Sequence, residues 1–197
     1  PKAQLTEKAA CSVLKLQVGK KLRSQVQDAG LEPQGPFRLA DVLSPDAVHV
    51  GVDVPDKAGL FNYMACSMAG ELSSVIPQQI EEALWERERT QETYIGEGVA
   101  TPHATLEAAE QERLGVYVLK NPVPFGDGEE HPVDVCFVTL DTPQDRRAHP
   151  RLLADLGRLV GETNLVELLR QAQDSEAALE LCLVAELQSA ASRETER

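Results

Sequence analysis

The chain has 197 residues, 42% of them apolar, and a formal charge of −13, enough apolar material for one domain of ordinary size plus an appendage. That acidity argues against general nucleic-acid binding, which needs cations for phosphates. No run approaches the ~18 apolar residues that a bilayer span needs.

The first residues are polar, and Lys15 interrupts the stretch from Cys11 to Val18, a pattern unlike a secretory signal. Cys11, Cys66, Cys136 and Cys182 are far apart and form no CxxC pair. Neither a disulfide framework nor a zinc site is therefore expected, and the expected setting is a reducing cytoplasm.

Lys2, Lys8, Lys15, Lys20, Lys21 and Arg23 face only Glu7 within residues 1–23, so this segment is +5 and the rest of the −13 chain is −18. Leu14, Val18, Leu22 and Val26 recur every four residues, with lysines on other faces, which predicts a basic amphipathic helix. Four uses of residues 1–30 stay open: contact with an anionic membrane, with an acidic partner such as a transporter, or with the chain's own acidic domain, and a remnant linker. The turn-rich Gly30 to Pro36 ends this arm, assigned to residues 1–36.

A compact domain is assigned to 37–183 and a polar C-terminal tail to 184–197. Val48, Val50 and Val52 alternate as in a short strand. Phe61, Met64, Ala65, Met68 and Leu72 fit one helical face. Pro77 suits the first turn of another helix, with Ile80 and Leu84 facing inward. Leu114–Leu119 and Val133–Leu140 are the best strand candidates, joined by a Pro/Gly/Asp-rich loop. Leu152, Leu153, Leu156, Leu159 and Val160 form an apolar helix face, and 165–170 and 177–187 supply further helical segments. Interspersed strands and helices predict a mixed α/β fold.

Between the second helix and the paired strands lies Gly96-Glu97-Gly98-Val99-Ala100-Thr101-Pro102-His103. Pro102 fixes its own φ and biases Thr101 towards extended backbone. Gly96 and Gly98 permit close approach of another chain or an anion. Histidine is both a nucleophile and a leaving group near neutral pH, so the segment presents His103 for transfer chemistry at a surface. Further on, Pro150 disfavours a helical His149 and fits the first position of the helix that follows, which puts His149 at an anion-favouring N-terminus. His49 sits in a valine-rich strand and His131 in an acidic loop, and both are expected to be structural or incidental.

The run from Glu86 through His103, with Arg87, Thr93-Tyr94-Ile95-Gly96-Glu97 and the following Ala104-Thr105-Leu106-Glu107-Ala108, resembles the phosphohistidine signature of fructose/mannitol-class IIA proteins. These belong to the bacterial phosphoenolpyruvate-dependent sugar phosphotransferase system, and the lead-in leans towards the mannitol branch. The Pro124-Phe125-Gly126-Asp127 loop and His149 before a leucine-rich helix agree.

The resemblance implies a mixed β-sheet flanked by helices, with the N-terminal helical arm outside it. It implies that His103 receives phosphate from a histidine phosphocarrier protein and passes it to a IIB domain or subunit, with no cofactor or metal. The location implied is cytoplasmic, with membrane association through a partner. Arg87 would hold the phosphoryl oxygens with its fork of donors, or pair with nearby glutamates. Thr93 and Gly98 would contact phosphate, although Thr93 also suits a turn cap. His149 would donate to phosphorylated His103, or only cap its helix. Glu107 would orient the imidazole, or be a solvated helix glutamate.

Thr101 and Pro150 stand where the family usually has aliphatic residues, and Ala104 stands where glycine is common. These departures allow altered partners or rate. Two other uses remain open: a regulatory module that binds or controls a transporter or other partner according to its phosphorylation state, and a structural domain like that of anion exchangers.

Overall fold

The computed structural model describes residues 39–70, 72, 74–126, 131–143 and 148–195. The expected arm over 1–36 lies outside them. A short helix, α1 (Leu39–Val42), leads into β1 (Leu43–Val52), followed by α2 (Lys57–Ala69) and α3 (Pro77–Thr90). Three short strands come next: β2 (Tyr94–Gly96), β3 (Val99–Ala100) and β4 (His103–Thr105). The long pair β5 (Arg113–Pro124) and β6 (Pro132–Asp141) precedes α4 (Ala148–Glu162), α5 (Leu165–Arg170) and α6 (Ser175–Thr195).

The sheet is mixed, in the order β1-β5-β6-β3-β2, with β4 also paired to β6. β5 and β6 are antiparallel, whereas β1 on β5, and β3 and β4 on β6, are parallel. Pro45 lies in β1 where the register shifts, as an edge strand tolerates.

Both faces of the sheet are covered, which explains why β5 and β6 read as nearly continuous apolar runs. Val116, Val118, Val135 and Phe137 pack with Leu152, Leu156, Leu159, Leu169 and Cys182 from α4–α6. Tyr117, Leu119, Cys136 and Val138 face Leu60, Phe61, Met64, Ile80 and Leu84 from α2 and α3. Each large apolar side chain so buried contributes roughly 1.5–3 kcal/mol.

The ends of α2 and α3 have local causes. Asp56 is extended and accepts from the Gly59 amide at 2.8 Å, an N-cap. Pro77 occupies the start of α3, where its missing N–H costs nothing. The expected alternation at 48–52 and both strand candidates are strands, and Leu152 to Val160 are buried as expected.

Three features add to the sequence reading. The segment assigned as a polar tail from 184 is helical in α6 as far as Thr195, with Ala185 and Ser189 buried. The glycine-rich segment supplies β2, β3 and β4. Ala104 lies in β4, and among the described residues Glu97 is the non-glycine with positive φ, at 54°. His49 stacks on Tyr117 with centroids 5.0 Å apart, and His131 stacks on Tyr94 at 4.5 Å.

Candidate phosphoryl-transfer site

One continuous segment builds the edge of the sheet beside β6. Val99 and Ala100 pair with Val135 and Cys136, the ladder breaks at Thr101-Pro102, and pairing resumes with His103 opposite Thr139. Pro102 has no amide to donate, but its carbonyl accepts from the Thr139 amide at 3.0 Å. His103 thus begins an edge strand with its backbone fixed on both sides. It is 8% exposed, so the ring sits in a cleft rather than standing out from the surface.

The tautomer of the ring follows from the groups on its two nitrogens. Its Nδ1 lies 2.9 Å from the Thr101 carbonyl oxygen. A carbonyl only accepts, so Nδ1 carries the proton and donates. Its Nε2 accepts from the Nε–H of Arg87 at 2.7 Å, and a guanidinium has no acceptor. Both contacts specify the neutral Nδ1–H tautomer, with the Nε2 lone pair taking the Arg87 Nε–H at the cleft.

Arg87 lies in the last turn of α3, and its Nη1 also donates to the Gln91 carbonyl at 2.9 Å. A cation belongs at that negative helix end. Desolvation lowers the Arg87 pKa from its ordinary value, and the neighbouring Glu88 charge opposes the shift. The guanidinium stays charged but is less fully hydrated, which strengthens its pull on an anion.

The cleft beside His103 has a volume of about 400 Å³, and α3 contributes Ala83, Glu86, Arg87 and Thr90 to its wall. The strands contribute His103, Ala104, Thr105 and the buried Asp141. Among these residues Arg87 supplies the positive charge, against the carboxylates of Glu86 and Asp141.

The other expected site residues fall in different places. The Thr93 hydroxyl is buried and donates to Glu88 Oε2 at 2.6 Å, so its proton is directed at a carboxylate. Gly98 precedes Val99, which is itself four β6 residues from His103 by register, about 13 Å along a strand. Its φ is +74° and a Cβ there would meet Asp134 Oδ1 at 2.7 Å; the glycine is required by that crowding beside the Asp134–Arg170 pair.

Glu107 is exposed in a turn after β4, not on a helix, while the Thr101 carbonyl lies on Nδ1 of His103. His149 lies in the first turn of α4, whose first residue is Ala148; its side chain lies outside the described residues. Sequence reasoning missed the Thr101 carbonyl, because a backbone group leaves no residue signature. Asp141 gave no signal either, since it ends an apolar strand and reaches the cleft only through sheet pairing.

Residues 41–184 match the family described as "Phosphoenolpyruvate-dependent sugar phosphotransferase system, EIIA 2". A nitrogen regulatory protein of Pseudomonas aeruginosa is 30% identical over 145 residues, covering 74% of this chain and 94% of that protein. The crystal structure of nitrogen regulatory protein IIA-Ntr from Neisseria meningitidis aligns with a TM-score of 0.64 at 23% identity, covering 73% of this chain and 97% of that one. Mannitol IIA of Escherichia coli, solved in complex with phosphorylated mannitol IIB, aligns at 0.60 and 19% identity, covering 71% of this chain and 97% of that one. The solved structures share the fold, and the match over 41–184 establishes that the chain belongs to the EIIA type 2 family of the phosphoenolpyruvate-dependent sugar phosphotransferase system.

Proposed function

We propose that the protein is a phosphoryl carrier that loads Nε2 of His103 from a histidine phosphocarrier protein. The observation that carries this reading is the fixed Nδ1–H tautomer, with Nε2 facing a cleft and Arg87 upon it. In the transfer, the Nε2 lone pair attacks phosphorus in line. The donor's P–N bond breaks, and its electron pair returns to the donor nitrogen.

The proton stays on Nδ1, hydrogen-bonded to the Thr101 carbonyl, so the loaded ring is an N-phosphorylated imidazolium. On onward transfer the ring departs as the same neutral Nδ1–H imidazole. Neither step needs a proton to move. The Arg87 Nε–H, displaced from Nε2 by the incoming phosphorus, is placed to donate to a phosphoryl oxygen, and transfer of this kind depends mainly on such positioning and charge stabilisation. His149, from the first turn of α4, is assigned as a second donor to the loaded phosphoryl group.

The test is loading with phosphoenolpyruvate, the general first enzyme of the system and its histidine phosphocarrier. Acid-labile phosphate on the native chain and none on His103→Ala is the expected result; equal label on both contradicts the reading.

The use we favour for the phosphoryl group is regulatory. The P. aeruginosa relative, matched over 94% of its length, is named a nitrogen regulatory protein. Passage to a IIB acceptor is the second reading, and it rests on the likeness to the mannitol IIA solved with phosphorylated IIB. Discharge of the loaded protein by a IIB domain favours the second; a loaded protein that keeps its phosphate beside IIB favours the first.

A further inference from the structure

A buried ionic cluster lies next to the site, outside the transfer step. The Glu88 carboxylate, 8% exposed, accepts from Lys57 Nζ at 2.7 Å, from the Thr93 hydroxyl at 2.6 Å and from the Thr93 amide at 3.1 Å. Lys57 in turn donates to the Phe125 carbonyl and sits 4.1 Å from the centroid of the Phe125 ring. An ion pair taken out of water like this is weak evidence of net stabilisation, because its desolvation cost offsets its attraction. Its position suggests another use.

Thr93, held by Glu88, accepts through its carbonyl from the Thr101 amide at 3.0 Å. The Thr101 carbonyl then takes the Nδ1–H of His103. Arg87, the residue before Glu88 on α3, holds the other ring nitrogen directly. Consecutive residues of one helix turn therefore act on the two nitrogens of one imidazole, Arg87 by contact and Glu88 through two backbone segments.

We propose that Glu88, with Thr93 as its bridge and Lys57 as its counter-ion, is a positioning residue that fixes the tautomer of His103. The proposal rests on the reading of His103 as the phosphoryl acceptor, but the tautomer exists without phosphate and is measured without it. Lys57 keeps the Glu88 charge from being buried alone. Glu88 keeps Thr93 against α3, and so keeps Thr101 at the distance where its carbonyl holds Nδ1–H and Nε2 stays unprotonated.

The experiment is proton–nitrogen NMR of the imidazole in the full chain labelled with ¹⁵N, at a pH well above the ordinary histidine range, with loading rate measured in parallel. The native protein is expected to show His103 as Nδ1–H only. Glu88→Ala is expected to show averaging between the tautomers and a loading rate at least ~10-fold lower, as for a misplaced reacting group. Glu88→Gln still accepts from Thr93 and is expected to restore the Nδ1–H tautomer and most of the rate.

Where Glu88→Ala fails to fold, Thr93→Val gives the same reading, since it removes the hydroxyl bond at nearly constant volume. An unchanged Nδ1–H tautomer and native loading rate in the folded variant overturn the proposal. A shifted tautomer in a protein that never loads phosphate upholds the positioning and removes the carrier reading instead.

Discussion

The Nε–H of Arg87 donates to Nε2 of His103 at 2.7 Å, so the cation of the cleft rests on the nucleophile's lone pair before any phosphoryl group arrives. The same donor then becomes available to the oxygens of the transferring group, in a cleft also lined by the carboxylates of Glu86 and Asp141. Arg87→Ala is expected to slow loading from the phosphocarrier by ~10²–10³-fold, the usual effect of removing a preorganised donor to developing charge. Arg87→Lys is expected to recover little, because an ammonium lacks the planar fork that reaches both Nε2 and the Gln91 carbonyl. Rapid-quench transfer rates measure both; a native rate for Arg87→Lys contradicts the geometric role.

Gly98 separates backbone demand from phosphate contact. An alanine there must hold φ near +74° with its Cβ 2.7 Å from Asp134 Oδ1 and 2.8 Å from Arg170 Nη2. Gly98→Ala is expected to lose ~1–3 kcal/mol of stability while loading His103 at close to the native rate whenever it is folded. Urea unfolding and loading below the transition decide this. Loss of loading at native stability would return Gly98 to the phosphate site.

The thiols report the packing of both core layers. Burial pushes Cys182 up to about 12 and raises Cys136 further, with Asp134 and Glu88 adding to the rise at Cys136. Cys66 is exposed on α2. Alkylation of the native protein near pH 8 is expected to modify Cys66 and to spare Cys136 and Cys182 until urea unfolds the chain, because the thiolate is the reactive form. Peptide mass mapping reads the order, and early modification of Cys136 contradicts the sheet packing.

The exposed pair of Lys120 and Asp53, 2.8 Å apart, sets a pH dependence of known sign. The hydrogen bond and charge of Lys120 lower the Asp53 pKa. Its contribution to stability is therefore present above the ordinary carboxylate range and is lost as pH falls through the lowered value. Asp53→Asn is expected to unfold at slightly lower urea than the native chain at neutral pH in low salt, and the two midpoints converge in acid. A gap that widens in acid contradicts the pairing; added salt narrows it at neutral pH.

Much of this architecture was legible because its causes are local. Pro77 starts a helix, Leu152 to Val160 declare one apolar face, and the unbroken apolar runs of β5 and β6 follow from burial on both sides. The Arg87–His103 pairing was readable only through the resemblance, since 16 residues separate them and only the packing of α3 across β4 joins them. The supporting groups were harder. Glu88 stood in the quoted motif but looks like any helix glutamate, Lys57 follows an N-cap aspartate with nothing to mark its reach, and the Thr101 contribution is a carbonyl common to every residue. The Thr93 hydroxyl, read as a phosphate contact or a turn cap, donates to Glu88, an anion that nothing in the sequence places beside it.

The central claim is that Nε2 of His103 carries the phosphoryl group while Nδ1 keeps its proton, donated to the Thr101 carbonyl. Phosphorus–nitrogen correlated NMR of the loaded, ¹⁵N-labelled chain tests this directly. The account predicts that the phosphorus couples to Nε2 of His103 and that the Nδ1–H signal persists. Coupling to Nδ1, or to a histidine other than His103, would contradict it.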